Sequence, residues 1–504
     1  MNNANPSPEL VQRWLNRLEV IGNRLPNPVL LFIYLCIGII AISAIADFFT
    51  ISAVHPVTNE IIPAKSLLSS DGVKWMVANT VGNFIHFAPV GSVLVAILGI
   101  AVAEDSGLLG HTLQRLAAKA QPRLLSSFVV FAGIMSSIGF DSGYVVLIPL
   151  AALIFRAAGR SPLAGIAAAF AGVSGGYSAN LLLGPVDAIL SGISTEAIAL
   201  VAPDRQVLTS ANYYFTAVST VFITVIGAWV NEKIVEPRLS KPTTASEESS
   251  EKLLNDSPAL KAAMRRVSLF SIAFIGLLLW LVIPDSGLLR NPDPNGLAAL
   301  PLLNGVVIFI ALYATISGLI FGYTTGKYQR HQDWIAGMET GISTLSGYMV
   351  LMFFAAQFVN YFNWTGLGAI SAINGANWLA GLELSKISLL LGFIVISASI
   401  NLLIGSASAK WALMAPIFIP MLFLLGVDPE SAQMAYRIGD SSTNIITPLM
   451  PYFGVVVAFM QSHDKSAGMG TLIALMLPYS VIFFISWSLL LSIWLAAGFP
   501  LGPG

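Results

Sequence analysis

Nine apolar segments dominate this chain of 504 residues. A helix needs about 20 apolar residues to cross the hydrocarbon core of a bilayer, and runs of this length are too continuous for the strands of a membrane barrel. The segments therefore predict an all-α polytopic membrane protein. They cover 28–49, 84–104, 162–191, 211–231, 267–284, 303–322, 342–361, 432–460 and 471–497.

The composition excludes several classes of partner. Only 10% of the residues are charged, against roughly 25% in a soluble domain. The 25 basic and 26 acidic residues leave no basic field for phosphates, so no nucleic-acid partner is expected. The single cysteine, Cys36, permits neither a disulfide framework nor a thiolate metal cluster. Apart from a coupling ion, we expect no cofactor.

The distribution of Lys and Arg predicts the orientation. Most of them fall on one side of the bilayer if the N-terminus is cytoplasmic and the C-terminus outside. Only Lys410 and Arg437 then lie at membrane depth, where a charge is costly without a function or a partner. The predicted organisation is a cytoplasmic N-terminal segment 1–27, a first half 28–235, a polar cytoplasmic linker 236–262 and a second half 263–504. An ordinary loop remains the alternative to the linker.

Two further segments, 125–157 and 387–424, predict re-entrant helical hairpins. Each consists of two apolar arms of 14 residues joined by a Gly- and Ser-rich tip. Fourteen helical residues span about 21 Å, which is less than the ~30 Å hydrocarbon core. Polar backbone at such a tip is tolerated only where it faces protein or a water-filled cavity. The arms are 125–138 with 144–157, and 387–400 with 411–424.

A sequence repeat relates the two halves. The pattern G-x-x-S-x-N occurs at 175–180 and again at 439–444, and the hairpin tips and a Gly-x-x-Pro pattern recur at similar spacing. These matches predict discontinuous helices at 162–191 and 432–460. The charge distribution places the two hairpins on opposite sides, so the repeats have inverted topology. Such repeats, with broken helices near the bilayer midplane, are typical of secondary transporters.

Asp440 is the main candidate for ion coupling. The sequence places it in the predicted break of the second discontinuous helix, where a carboxylate carries a proton or binds a cation. Asn401, in the second tip, adds an amide oxygen, so Asn401 and Asp440 form a candidate Na⁺ site. Asp141 in the first tip is a third coupling candidate. The coupling ion remains open between H⁺ and Na⁺.

Asn180 and Asn444 are candidate substrate ligands at equivalent positions of the repeats, with Ser178 and Ser442 two residues earlier. Side chains of this kind complete the shell around a ligand at a broken helix. The alternative is polar contact between packed helices. Asn401, Ser406 and Ser408 in the second tip, and Asp141 and Ser142 in the first, carry the same two interpretations.

Three further residues are candidates for contact with an aromatic, carboxylated substrate. Lys410 either meets a substrate carboxylate or extends to water, and Trp411 either stacks on an aryl ring or packs in the protein. Arg437 either binds substrate or only neutralises Asp440, three residues later on the same helix face.

An intramembrane serine protease is a remote alternative. The stretch 172–175 reads Gly-Val-Ser-Gly, which matches the pattern around the serine of such enzymes. They also need a histidine at membrane depth after the serine, and the downstream histidines, His331 and His463, fall in polar segments. The chain contains no phosphate-binding loop for ATP either. Transport driven by an ion gradient is therefore the preferred interpretation.

Several long motifs resemble the AbgT family, the p-aminobenzoyl-glutamate transporters. The resemblance extends from about Val20 to the C-terminus, and three of the motifs are LPNPVLLFIYL, ASAKWALMAPIFIPMLFLLG and YRIGDSSTNIITPLMPYF. It implies a homodimer of nine transmembrane helices plus two hairpins per chain, in the bilayer of the bacterial inner membrane. It also implies that the functional positions are Asn401, Trp411, Pro429, Arg437 and Asp440.

The resulting hypothesis is an ion-coupled secondary transporter, not an enzyme. Its small-molecule substrate would be p-aminobenzoyl-glutamate or a related aromatic carboxylate, bound between the hairpin tips and the broken helices. The alternative within the same class is a proton-driven efflux pump for sulfonamide-type antimetabolites, since some members of the family are regarded as such exporters. Both symport and antiport remain open.

Overall fold

The structure is a computed structural model. It describes residues 28–54, 60–118, 124–139, 143–239, 257–284, 287–289, 305–448, 450 and 452–503. The predicted N-terminal segment 1–27, positions 240–256 of the predicted linker and the coupling candidate Asp141 lie outside the described residues.

Helices account for most of the described first half. In chain order they are α1 (Pro28–Phe48), α2 (Ser70–Ile85), α3 (Ala88–Asp105), α4 (Leu108–Ala118), α5 (Leu125–Ser136), α6 (Ile148–Ala157), α7 (Pro162–Phe170), α8 (Pro185–Ile198) and α9 (Tyr213–Val230). Short helical turns extend some of them, at Ser137–Gly139, Gly143–Leu147, Ala171–Gly175, Asn231–Val235 and Glu236–Arg238. One departure from the all-α prediction is a small antiparallel pair of strands, β1 (Ser52–Val54) and β2 (Ile61–Pro63), in which Ala53 lies opposite Ile62.

The described second half is also helical. Its helices are α10 (Pro258–Val282), α11 (Val306–Thr325), α12 (His331–Thr344), α13 (Ser346–Trp364), α14 (Leu367–Ala380), α15 (Lys386–Asn401), α16 (Ala407–Leu424), α17 (Pro429–Asn444), α18 (Phe453–Gln461) and α19 (Met469–Ala496).

The described residues contain six helices that are long and apolar enough to cross a membrane, and a seventh span if α12 and α13, which meet at 45°, are counted as one. A multi-pass helical membrane protein is therefore confirmed, whereas the count of nine spans stays a prediction. The six are Val29–Phe48, Tyr213–Arg238, Pro258–Val282, Val307–Thr325, Ala407–Leu424 and Met469–Ala496. Ala407–Leu424 is not one of the nine predicted spans but the second arm of the predicted hairpin 387–424, and at 18 residues it is longer than the 14 residues expected for that arm.

The same order of elements occurs once in each half. The first half contains α5 and α6, followed by α7 and α8, which are the two parts of an interrupted helix. The second half contains α15, α16, α17 and α18 in the corresponding order. Gly159 and Gly426 precede α7 and α17 with positive φ angles of 70° and 76°, a conformation that glycine adopts without strain. Pro162 and Pro429 then occupy the first helical turns, where a missing N–H costs nothing. The Gly-x-x-Pro pattern thus ends one helix and starts the next in both halves.

Close helix packing also recurs in both halves. A Cβ atom on Gly172 would lie 2.4 Å from the Val130 carbonyl oxygen of α5, and one on Gly439 would lie 2.6 Å from the Ile394 carbonyl oxygen of α15. The first helix of each predicted hairpin therefore packs directly on its interrupted helix, through glycines 267 positions apart.

Two predicted boundaries in the second half are wrong. Asp440 does not lie in a break, because α17 is continuous through Asn444. The hydroxyls of Ser442 and Thr443 donate to the carbonyls of Ile438 and Gly439, at 2.6 Å and 2.7 Å. Polar side chains that bond to their own helix in this way do not need to interrupt it.

The second tip is also shorter than predicted. Lys410 and Trp411 lie inside α16, which begins at Ala407 because the Ser406 hydroxyl accepts from the Ala409 amide and caps the helix. Asn401 is the last residue of α15. The non-helical part of the tip is therefore confined to residues 402–406.

α17 lies at the centre of the protein. All of its residues are buried, including several polar and charged ones. By contrast, only Ala263 and Val267 are buried in α10, which lies at the periphery. A polar helix enclosed by apolar helices is the expected location of a functional site in a membrane protein.

Candidate substrate and ion site

A buried ion pair joins α16 to α17. The Lys410 ammonium donates to Asp440 Oδ1, and the two side chains are 0% and 2% exposed. Lys410 also donates to Asn401 Oδ1 and, at 3.4 Å, to the Ile404 carbonyl oxygen. Lys410 therefore does not extend to water, because its charge is compensated inside the protein.

Asn401 connects this pair to the end of α17. Its amide nitrogen lies within hydrogen-bonding distance of the Asp440 carbonyl oxygen (2.7 Å), Thr443 Oγ1 (2.8 Å) and Asn444 Oδ1 (2.9 Å). Asn444 in turn reaches Asp440 Oδ2 at 3.4 Å. Every polar side chain in this cluster is bonded to another, so the cluster has a defined geometry.

A second buried ion pair links the two halves of the chain. Arg437 Nη1 donates to Asp187 Oδ1 at 2.6 Å, and Nη2 donates to the Ser178 carbonyl oxygen at 3.3 Å. Asp187 Oδ2 accepts from the Gly184 amide at 2.8 Å, at the start of α8, where a negative charge is favoured. The Arg437–Asp440 pair considered from the sequence does not form, because each residue has a different partner of opposite charge.

Trp411 is enclosed in the protein, 0% exposed. Its indole stacks on Tyr436 with ring centroids 4.4 Å apart. The indole N–H donates to the Leu190 carbonyl oxygen at 3.2 Å and to Ser194 Oγ at 3.0 Å. Trp411 thus connects α16 to α8, and Leu190, but not Trp411, is part of the cavity wall described next.

A cavity of about 610 Å³ lies beside these pairs. This volume is in the range of small-molecule sites. Both halves contribute to its wall, including the second tip and the residues around both breaks. Among the lining residues are Tyr144, Tyr177, Ser406, Ser408, Asn444 and Tyr452.

The predicted substrate ligands fall into two groups. Asn444 lines the cavity. Asn180, in contrast, donates to Ser137 Oγ at 2.8 Å, and Ser442 bonds within its own helix. Ser178 is buried, and its carbonyl oxygen accepts a hydrogen bond from Arg437. Pro429 begins α17. Three of these four residues therefore bond to other protein groups, Pro429 occupies a helix start, and the cavity wall contains none of the four.

Three acidic residues of the site were missed by the sequence analysis. Asp187 is an acidic residue within the apolar segment 162–191, and a search for carboxylates at membrane depth would have found it. Glu104 and Asp105 line the cavity at the end of α3. Asp105 accepts from the Tyr328 hydroxyl at 2.9 Å. Burial, together with this hydrogen bond, raises the pKa of Tyr328 above its usual value, so the tyrosine stays a donor.

Interrupted helices in both halves, buried ion pairs and a shared cavity are the features of a membrane transporter. The chain belongs to the AbgT transporter family, whose sequence profile matches residues 13–504. It is 38% identical over 487 residues to the p-aminobenzoyl-glutamate transport protein of Escherichia coli (strain K12), covering 97% of this chain and 95% of that protein.

Two solved structures have the same fold. The Alcanivorax borkumensis YdaH transporter is 47% identical with a TM-score of 0.90, and the match covers 95% of this chain and 100% of that one. Neisseria gonorrhoeae MtrF, described among a class of antimetabolite efflux pumps, is 44% identical with a TM-score of 0.91, covering 97% and 99%. These relatives are transporters, so the chain is a transporter and not an enzyme.

Proposed function

We propose that this chain is a proton-coupled carrier of p-aminobenzoyl-glutamate or a related aromatic carboxylate. The substrate class comes from the Escherichia coli relative, a p-aminobenzoyl-glutamate transport protein. The proposal of proton coupling rests on the buried Lys410–Asp440 pair, which lies next to a cavity large enough for such a ligand.

The position of Lys410 favours H⁺ over Na⁺ as the coupling ion. Oxygen atoms from carboxylates, amides and unwound backbone are the ligands of Na⁺ in transporters. Asp440 Oδ1, Asn401 Oδ1 and the Ile404 carbonyl oxygen form such a set, and the Lys410 ammonium already contacts all three. A sodium ion would have to displace a buried cation of equal charge. A proton only has to reach the Asp440 carboxylate.

Protonation of Asp440 then creates a need for a substrate anion. A neutral Asp440 leaves the Lys410 ammonium buried without a counter-ion, which is energetically costly. A substrate carboxylate in the cavity removes that cost, so the proton and the anion stabilise each other's binding. Asn444 lines the cavity and its side chain reaches Asp440 Oδ2. It therefore lies between the proton site and the proposed position of the substrate anion. This linkage predicts symport of a proton with the anionic substrate.

The test is uptake of radiolabelled p-aminobenzoyl-glutamate into proteoliposomes under separately imposed H⁺ and Na⁺ gradients at a clamped membrane potential. We expect accumulation with the H⁺ gradient and no response to Na⁺. Asp440→Asn should lose accumulation but retain exchange of substrate for substrate, while the loop variant Asp464→Asn should behave as the parent. Accumulation that follows Na⁺ would overturn the proton assignment, and absence of any flux would overturn the substrate class.

Efflux of sulfonamide-type antimetabolites is the second candidate function. It rests on the similarity to MtrF, described among antimetabolite efflux pumps. A sulfonamide carries an aromatic amine like that of p-aminobenzoyl-glutamate, so one cavity accommodates both. Everted membrane vesicles with an imposed H⁺ gradient distinguish export from uptake. An exporter accumulates sulfonamide inside these vesicles, whereas a symporter that works in the uptake direction does not.

The assembly proposed for this carrier is a homodimer in the bacterial inner membrane. Each chain would have nine spans and two re-entrant hairpins, with a cytoplasmic N-terminus and an external C-terminus. The recurrence of the α5–α8 order in α15–α18 supports this topology. So do the short apolar helices Leu125–Ser136, Ile148–Ala157 and Lys386–Asn401, which are three of the four hairpin arms, whereas the fourth arm, Ala407–Leu424, is itself long enough to cross a bilayer. Labelling of single cysteines placed at the hairpin tips, with an impermeant reagent from either side, tests it.

A further inference from the structure

Tyr144 and Tyr452 form an aromatic pair in the cavity wall. Their rings are parallel within 5° and their centroids are 4.5 Å apart, and both residues line the cavity. Tyr144 belongs to the helical turn Gly143–Leu147 that follows the first tip, and Tyr452 immediately precedes α18 in the second half. A ligand in the cavity therefore meets an aromatic surface to which both halves contribute.

Buried aromatic side chains hold this pair in place. Tyr144 contacts Phe170 edge-to-face, with centroids 6.4 Å apart, and Phe170 contacts Phe453 in the same way at 6.3 Å. Both phenylalanines are at most 1% exposed. An aromatic surface fixed in this way loses little conformational freedom when a ligand binds.

Trp411 does not offer such a surface in this structure. Its ring faces Tyr436 at 4.4 Å and Phe393 at 6.4 Å, and its N–H is bonded to α8. Tyr452, by contrast, is only half-buried. The aromatic contact that was one of two options for Trp411 is thus available from a different pair of residues.

We propose that the Tyr144–Tyr452 pair is the aryl subsite, against which the benzoyl or sulfanilyl ring of the substrate packs. This inference rests on the proposed function, because it requires an aromatic substrate. Polar side chains of Ser406, Ser408 and Asn444 line the same cavity and take the amide and carboxylate groups. The tyrosine pair recognises the aromatic ring of the ligand, so p-aminobenzoyl-glutamate and sulfonamides both bind to it. A non-aromatic N-acyl-glutamate binds without the stabilisation from ring stacking.

Binding to purified protein, followed by calorimetry, tests the subsite. Tyr452→Leu keeps an apolar side chain but removes the ring, and it should weaken p-aminobenzoyl-glutamate by roughly three- to tenfold. Tyr452→Phe keeps the ring and should bind within about twofold of the parent. The matched control is Tyr313→Leu, because Tyr313 also stacks, on Phe270 at 6.0 Å, but lies outside the cavity wall.

A ligand comparison provides a second measurement that does not depend on the folding of one variant. N-(cyclohexanecarbonyl)-glutamate has a similar size but no π face, so it should bind the parent more weakly than p-aminobenzoyl-glutamate. Tyr452→Leu should reduce that difference, and Tyr452→Met serves in its place if the leucine variant does not purify as folded protein.

Equal affinity of the folded Tyr452→Leu and parent proteins for p-aminobenzoyl-glutamate overturns the subsite. So does a preference for the aryl ligand over the cyclohexyl ligand that remains unchanged in the variant. Failure of the parent to bind either p-aminobenzoyl-glutamate or a sulfonamide is a different result, which contradicts the proposed function itself.

Discussion

The Arg437 guanidinium contacts the Asp187 carboxylate at 2.6 Å, across 250 residues of chain. The contact joins α17 in the second half to α8 in the first, next to the cavity. Asp187 also accepts the Gly184 amide, so one carboxylate both caps α8 and neutralises a buried charge on α17. The ion pair therefore ties together the two interrupted helices.

Loss of Arg437 should destabilise the protein through Asp187. Arg437→Met leaves the Asp187 carboxylate buried without its partner, which costs about 3–5 kcal/mol. Adding Asp187→Asn should recover most of that loss, because the amide oxygen still accepts from Gly184 while the charge is gone. Thermal unfolding in detergent measures both effects. Recovery by Asp440→Asn instead of Asp187→Asn would show that the partner assignment is wrong.

The Lys410–Asp440 pair should behave in the same way, but with an effect on coupling. Lys410→Met should lower stability by about 3–5 kcal/mol, and Lys410→Met combined with Asp440→Asn should restore it. The restored double variant should fold yet no longer respond to an H⁺ gradient in proteoliposomes, because no titratable carboxylate remains at that position. A double variant that still accumulates substrate with the H⁺ gradient would remove this pair from the coupling mechanism.

Close helix packing predicts a strong difference between two glycines. Gly439→Ala places a Cβ 2.6 Å from a backbone carbonyl oxygen of α15, whereas Gly392→Ala, in α15 itself, meets nothing within 4 Å. Gly439→Ala should cost about 1–3 kcal/mol by overpacking. Gly392→Ala should be neutral or stabilising by up to about 1 kcal/mol, because alanine favours the helix. Equal melting temperatures for the two variants would contradict the packing of α15 on α17.

The enclosed position of Trp411 predicts an effect on stability before any effect on binding. Trp411→Ala should cost about 3–5 kcal/mol, because it leaves a cavity among buried side chains. Trp411→Phe keeps the contact with Tyr436 and should cost about 1–3 kcal/mol for the lost N–H donor. Unfolding and ligand binding measured on the same samples separate the two roles. A Trp411→Phe protein of parental stability that binds substrate tenfold more weakly would indicate direct contact with the ligand.

Several features of the fold are properties of local sequence. The scarcity of charge and the long apolar runs predict a helical membrane protein, because a bilayer accepts little else. Two helix boundaries follow from backbone sterics alone, one marked by Gly159 and Pro162 and the other by Gly426 and Pro429. Lys410, Arg437 and Asp440 attract attention as charges at membrane depth without knowledge of any contact.

Local sequence was a poor guide where a side chain had two competing partners. The pattern at 439–444, which includes Ser442, suggested a break in α17, yet the Ser442 and Thr443 hydroxyls bond to their own helix and leave it intact. Ser406 acts as a helix cap, so Lys410 and Trp411 are helical and not part of a loop. A polar residue in an apolar segment is compatible with either outcome until its hydrogen-bond acceptor is known.

The sequence by itself determined the class of protein, the approximate positions of the long apolar helices and three of the charged residues at the site, Lys410, Arg437 and Asp440. Only the tertiary structure decided which charges pair, that Trp411 is enclosed, and that Tyr144 and Tyr452 meet in a cavity. The physical reason is the separation along the chain over which each interaction acts. Hydrophobicity and backbone sterics act within a segment, whereas ion pairs and ring stacks depend on how segments distant in sequence approach one another. Arg437 contacts Asp187, and not its near neighbour Asp440, because packing places α8 beside α17 and Lys410 already neutralises Asp440.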